Sequence, residues 1–493
     1  MGTLKSIIGI FIFFSTVVPV LLLPVEKNST DVERLVASML RETPIISDLE
    51  QICDEIGGRP TGSKANLDAV EWALNKFKEA GVSARKESFM MPKAWLNGSA
   101  EAIISGDVSF SAKVTAMPFS TSSPPTGFNA PLLEVGHGTE ADFKRLGTKI
   151  KGAFILVETE ILCDIEGLLR EYKDAAEIEE RAFAAGVTGV VYMSSRPRGL
   201  LYQHNASRGE NNRHPMLIMA REQAERLVRL LRRNKNLFLN AKINVRTGGE
   251  YQSFNVIGEI PGSEKPDEFV VLGAHLDSWS LGTGANDNAC SVVIMIDIAR
   301  QMKHLGITPK RTLRFALWNG EEQGFIGSWN YTRSHLDEMD RHVMSCSLDT
   351  GSGRITGFIT GGREELIEPL KKVLKPVEGL GPFQYINIPL VGTDTYDFMM
   401  QGVANIMPDQ EPGDYGLDYH AESDTFDKVD LRQLKLNSAI MAAFALGFTD
   451  IDVTWKRQTR AEIQKLIDST NLKEQMDTLG QYPGWLDGSR GRK

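Results

Sequence analysis

Between residues 267 and 350, short apolar runs alternate with longer segments of helical spacing, and this alternation leaves the chain few folds to choose from. "EFVVLGAHLD" is apolar at successive positions, as a strand buried on both faces must be. "CSVVIMIDIARQMKHLG" follows as a helix, "RTLRFALW" as a strand, "SWNYTRSHL" as a helix and "HVMSCSLDT" as a further strand. Strands alternating with helices predict an α/β fold with a mixed, largely parallel central sheet flanked by helices. Ligands of such sheets bind beyond the carboxyl ends of the strands. His275, Glu321, Glu322 and Asp349 all fall at predicted strand ends.

A chain of 493 residues exceeds one compact domain, so two are expected. The sheet-forming domain takes residues 45–97 and 250–455. Its first part holds "GGRPTGSK", a near miss to a phosphate-binding loop: the lysine follows a serine, and no apolar strand precedes it, which excludes nucleotide binding. Val70, Leu74 and Phe77 then recur at helical spacing, with Gly81 as the expected C-cap. Residues 98–249 change character. "KVTAMPF" and "KGAFILVE" read as strands, "EERAFAAGVTGVVYM" as helix, turn and strand, and "PMLIMAREQAERLVRLL" as strand and helix. This block has few residues of obvious chemistry and reads as an inserted α/β domain that packs or shapes a substrate site. Residues 456–493 form a charged C-terminal tail with no assigned role.

Lys5 followed by "SIIGIFIFFSTVVPVLLL" predicts a signal peptide over residues 1–24, since no basic stop-transfer cluster follows. Polar residues 25–44 could be a pro-segment. Secretory entry, with transit through the endoplasmic reticulum and Golgi, agrees with four glycosylation sequons at Asn28, Asn97, Asn205 and Asn330. The destination would be the extracellular space or the lysosome. No later segment is apolar enough to span a bilayer. Four cysteines do not make a disulfide scaffold, and Cys290 and Cys346 sit in apolar runs as buried thiols. A formal charge of −9 argues against a nucleic-acid partner.

The candidate chemistry lies in separated motifs: His275 and Asp277 in "AHLDS", Asp287 in "GANDNA", the Glu321–Glu322 pair in "WNGEEQG", Asp349 in "SLDTGSG" and His420 in "DYHAESDT". Mixed imidazole and carboxylate donors suit zinc. Two histidines with three or four carboxylates exceed the needs of one ion and suit two ions ~3.5–4 Å apart. No G-x-S-x-G elbow, H-E-x-x-H helix or C-x-x-C pair offers another hydrolytic or metal chemistry.

In order, spacing and flanking residues these motifs resemble those of the M28 family of co-catalytic zinc peptidases, over roughly residues 45–97 and 250–450. The resemblance implies the zinc exopeptidase fold and makes "IKGAFILVETE" with "ERAFAAGVTGVVYM" part of an inserted protease-associated domain. It implies two zinc ions per subunit, with His275 and Asp349 on one, Glu322 and His420 on the other, and Asp287 bridging. Glu321 would be the general base toward a bridging water. Asp277 would accept the free N–H of His275 and fix its tautomer. Asp394, in "VGTDTYDFMMQGV", falls where relatives carry a substrate-side loop. The implied activity is exopeptidase action on dipeptides or short peptides with free termini, by a homodimer. An aminopeptidase for longer peptides is the alternative. A non-catalytic receptor-like relative would have lost ligands that are present here, and a single-zinc cyclase would not need them all.

Overall fold

The computed structural model describes residues 29–204, 207–413 and 415–493. The expected signal peptide and the sequons at Asn28 and Asn205 fall outside the described residues. Asn97 lies half-buried on a strand and Asn330 half-buried on a helix. No helix among the described residues is long and apolar enough to cross a membrane.

Two eight-stranded sheets organise the chain. The first runs, in spatial order, Ser83–Met91, Tyr251–Ile260, Arg311–Trp318, Lys265–His275, His342–Ser347, Asn405–Gln410, Ile355–Ile359 and Gln384–Ile386. Its four middle strands, from Arg311–Trp318 to Asn405–Gln410, are mutually parallel, and antiparallel pairs flank them. The mixed, largely parallel α/β architecture is therefore present. Every residue of Arg311–Trp318 is buried, Arg311, Thr312 and Arg314 included, as a strand covered on both faces requires.

The covering layers explain the burial. Helices Cys290–His304 and Leu431–Asp450 are buried along most of their length and share one core with the strands. Helix Lys64–Glu79 buries Val70, Leu74 and Phe77, and Gly81 follows it at a φ of +74°, the left-handed region that ends a helix and favours glycine.

 Helix Asp31–Met39, started by a capping box between Thr30 and Glu33, places Leu35 and Met39 in the same core. Its Arg34 also donates to the Leu305 carbonyl at 2.9 Å. The stretch expected as a possible pro-segment thus contains a helix built into the fold, because its apolar face has core to cover.

The second sheet draws its strands from Trp95 to Thr247 and has its own core. It begins at Trp95, inside the part expected to belong to the first domain. The tail also differs from expectation. Helices Arg460–Ser469, Leu472–Thr478 and Tyr482–Asp487 bury Ile463, Ile467, Leu472, Met476 and Trp485 against Phe325, Tyr396 and Met400. Its many charges lie on the outer faces of short amphipathic helices, which concealed the buried stripe.

Candidate metal centre

Register brings the site together. His275 pairs with Trp318 and Gly273 with Ser347 on the two neighbouring parallel strands. Asp349, two residues past Ser347, therefore leaves the sheet level with His275, and the glutamate pair follows just beyond Trp318. Asp287 arrives on the turn after Gly284, whose φ is +62° and whose added Cβ would lie 2.4 Å from Ser278 Cβ.

Two clusters result: His275, Asp287 and Asp349, and Asp287, Glu322 and His420, with one donor atom from each residue within 4.8 Å of the others. Asp287 belongs to both. Its Oδ1 lies 3.0 Å from His275 Nε2, and its Oδ2 lies 3.3 Å from His420 Nε2. Asp349 Oδ1 is 3.0 Å from His275 Nε2, and Glu322 Oε2 is 2.9 Å from His420 Nε2. Imidazole nitrogens and carboxylate oxygens converging twice around one shared carboxylate fit two divalent ions, and zinc among them. Glu321 belongs to neither cluster.

Burial and mutual repulsion shift the titration of these groups. Burial drives the Glu321 and Glu322 carboxyls well above the usual range, with Asp349 adding to the first and Asp287 to the second. Burial would lower His275, but Asp349 and Glu321 override it and hold the imidazole well above its ordinary value. His420 is pushed down by burial to about 4, the neutral form a ligand needs.

Asp277 departs from its expected contact. His275 Nδ1 meets the Asp277 backbone carbonyl at 3.0 Å, whereas the carboxylate Oδ1 stands 3.8 Å away. That carboxylate instead accepts from the Thr61 hydroxyl at 2.6 Å and the Gly320 N–H at 3.0 Å, with the Glu321 N–H at 3.4 Å. Asp277 thereby ties the histidine strand to the glutamate turn. Asp394 is fully buried beside this group, and burial, with Asp349 next among the raising charges, lifts its carboxyl well above the usual range.

Several supports of the site were given no role by the sequence. Arg59, from "GGRPTGSK", is fully buried and donates to the carbonyls of Leu276 at 2.6 Å, Thr283 at 2.6 Å and Gly284 at 2.9 Å. It shapes the loop that carries Asp287. Asp424 accepts from the backbone N–H of Asn286 at 2.7 Å and of Asp287 at 3.1 Å, and burial raises it to about 7. From the inserted block, His204 reaches His420, the two Nδ1 atoms being 3.1 Å apart. The insert therefore carries more site chemistry than its composition suggested. Cys290 is buried, and burial lifts its thiol to about 12.

Comparison with known proteins agrees with this geometry. Residues 255–445 match the model of Peptidase family M28. Carboxypeptidase Q of Rattus norvegicus is 26% identical over 408 residues, covering 81% of this chain and 84% of that protein. The solved structure of a Peptidase M28 precursor from Shewanella amazonensis superposes with a TM-score of 0.77 at 27% identity, over 87% of this chain and 98% of that one. A zinc aminopeptidase from Bacillus subtilis shares the fold at a TM-score of 0.63 and 20% identity, over 82% of this chain and 95% of that one. The matched segment contains both clusters and the Glu321–Glu322 turn, and the chain is accordingly a metallopeptidase whose residues 255–445 are similar to Peptidase family M28.

Proposed function

We propose that this chain is a secreted or lysosomal di-zinc exopeptidase that hydrolyses dipeptides or short peptides with free termini. The observation that carries the reading is Asp287, whose two oxygens face two separate histidine–carboxylate clusters, with Glu321 outside both. His275 and Asp349 would hold one ion, Glu322 and His420 the other, and Asp287 both. Zinc, when bound there, supplies a polarised carbonyl and a water of lowered pKa. Glu321, uncommitted to either cluster, takes the proton of the attacking water and returns it to the departing amine nitrogen. A base must change protonation state, whereas a ligand must stay ionised, and the two neighbouring glutamates divide these duties.

The inserted block reaches the site: His204 lies 3.1 Å from His420, and the Tyr172 hydroxyl lies 3.2 Å from His204. The relatives named carboxypeptidase Q favour the short-peptide reading, whereas the bacterial zinc aminopeptidase favours the alternative of longer peptides. Assay of the purified chain against a dipeptide library and matched longer peptides separates the two. Faster turnover of longer peptides would overturn the short-peptide reading. Hydrolysis should cease with a chelator and return with zinc. Secretory entry, glycosylation at Asn97 and Asn330, and a homodimer belong to the same proposal and are checked on the protein recovered from secreting cells.

A further inference from the structure

The loop carrying His420 rests on the insert. Gln203 N–H donates to the His420 carbonyl at 3.0 Å, Arg196 Nη2 to the Tyr419 carbonyl at 2.8 Å, and Glu422 N–H to the Leu201 carbonyl at 3.0 Å. His420 itself has a φ of +57°, a conformation few non-glycine residues adopt without such support. Its Nε2 faces Asp287 and Glu322, so that nitrogen offers its lone pair to a cation. The proton of the neutral ring then sits on Nδ1 and points at His204 Nδ1, 3.1 Å away. His204 is buried, at 3% exposed, and in this arrangement its Nδ1 would accept the bond and its own proton would lie on Nε2. That nitrogen looks toward Glu171 Oε1 at 3.7 Å. Glu171 is fixed in turn by the Ser195 hydroxyl at 3.1 Å and by the Tyr202 hydroxyl. The Tyr172 hydroxyl lies 3.2 Å from His204 Nδ1 and closes the same pocket.

Resting on the metal-centre reading above, we infer that His204 is a positioning residue of the metal centre, fixing the tautomer and ring orientation of His420 from the inserted domain. Partners that orient ligating histidines typically change metal affinity by about 10–100-fold when removed. The insert is then part of the metal site as well as its cover.

The test is zinc titration of the metal-stripped full chain in competition with a chromophoric chelator, for wild type, His204→Leu and His204→Asn. Leucine keeps bulk without an acceptor, whereas asparagine keeps an oxygen near the place of Nδ1. His204→Leu should weaken one ion by about 10–100-fold, while His204→Asn stays within about threefold of wild type. A leucine variant that binds both ions as wild type does would overturn the inference. Should that variant not fold, His204→Asn decides, and a loss beyond about threefold overturns the assignment. A wild type that takes up one ion, weakened by His204→Leu, would refute the two-ion reading and sustain this one; one ion unaffected by the substitution would refute both.

Discussion

Glu321 and Glu322 are adjacent in sequence but unequal in surroundings. Glu322 meets His420 and shares a cluster with Asp287, whereas Glu321 stands outside both clusters. Glu321→Gln should therefore retain metal and lose about a hundred- to ten-thousand-fold in kcat, measured beside elemental analysis. Loss of metal in that variant would contradict the division of roles. Arg59→Met makes a separate test: three loop carbonyls lose a buried donor, so chemical denaturation should show a loss on the order of 3 kcal/mol. The seven residues from His275 to His420 that make or adjoin the clusters were legible because they fall at predicted strand ends and in turn-rich motifs. Arg59 and His204 were not, because their partners lie far away in sequence and no local pattern links them; Asp424 stood in the His420 motif, but its bond to the distant Asp287 loop was not legible.

At the level of elements, the strand Ser83–Met91 is pinned beside the helix Ile326–Ser334 that follows the glutamate turn. His335 Nε2 meets Glu87 Oε2 at 3.0 Å, and Nδ1 meets Glu338 Oε2 at 3.1 Å. Burial opposes the charged imidazole, but Glu87 and then Glu338 prevail over it and over nearby Arg314, so the His335 pKa is raised. A raised histidine pKa adds stability that is fully present below the unfolded value and is lost as pH rises through the folded one. The stability difference between wild type and His335→Gln should be largest in mild acid, on the order of 1 kcal/mol, and shrink as pH rises. A difference that grows with pH would contradict the assigned charge. Three strands of the first sheet, Lys265–His275, Arg311–Trp318 and His342–Ser347, were readable because mainly apolar runs alternate there with segments of helical spacing. The order of the strands was not, since pairing depends on contacts between distant segments.

Across the whole molecule, both ends of the described chain are anchored in its cores. Arg490 is buried and grips Asp397 with Nε and Nη2, each at 2.7 Å, while Nη1 donates to the Gly324 carbonyl at 3.1 Å just beyond the glutamate pair. Arg490→Ala should cost about 3–5 kcal/mol in denaturant unfolding, the scale of a broken buried pair, and unchanged stability would show the contact to be idle. The tail's packing escaped the sequence because its charges outnumber the few apolar positions that touch the core. The central claim is that two metal ions share Asp287 and that the neighbouring glutamates split ligand from base. Metal content per chain, measured by elemental analysis on wild type, Glu321→Gln and Glu322→Gln, tests it most directly. The account predicts two zinc ions in wild type and in Glu321→Gln and fewer in Glu322→Gln; equal metal content in the two variants would contradict it.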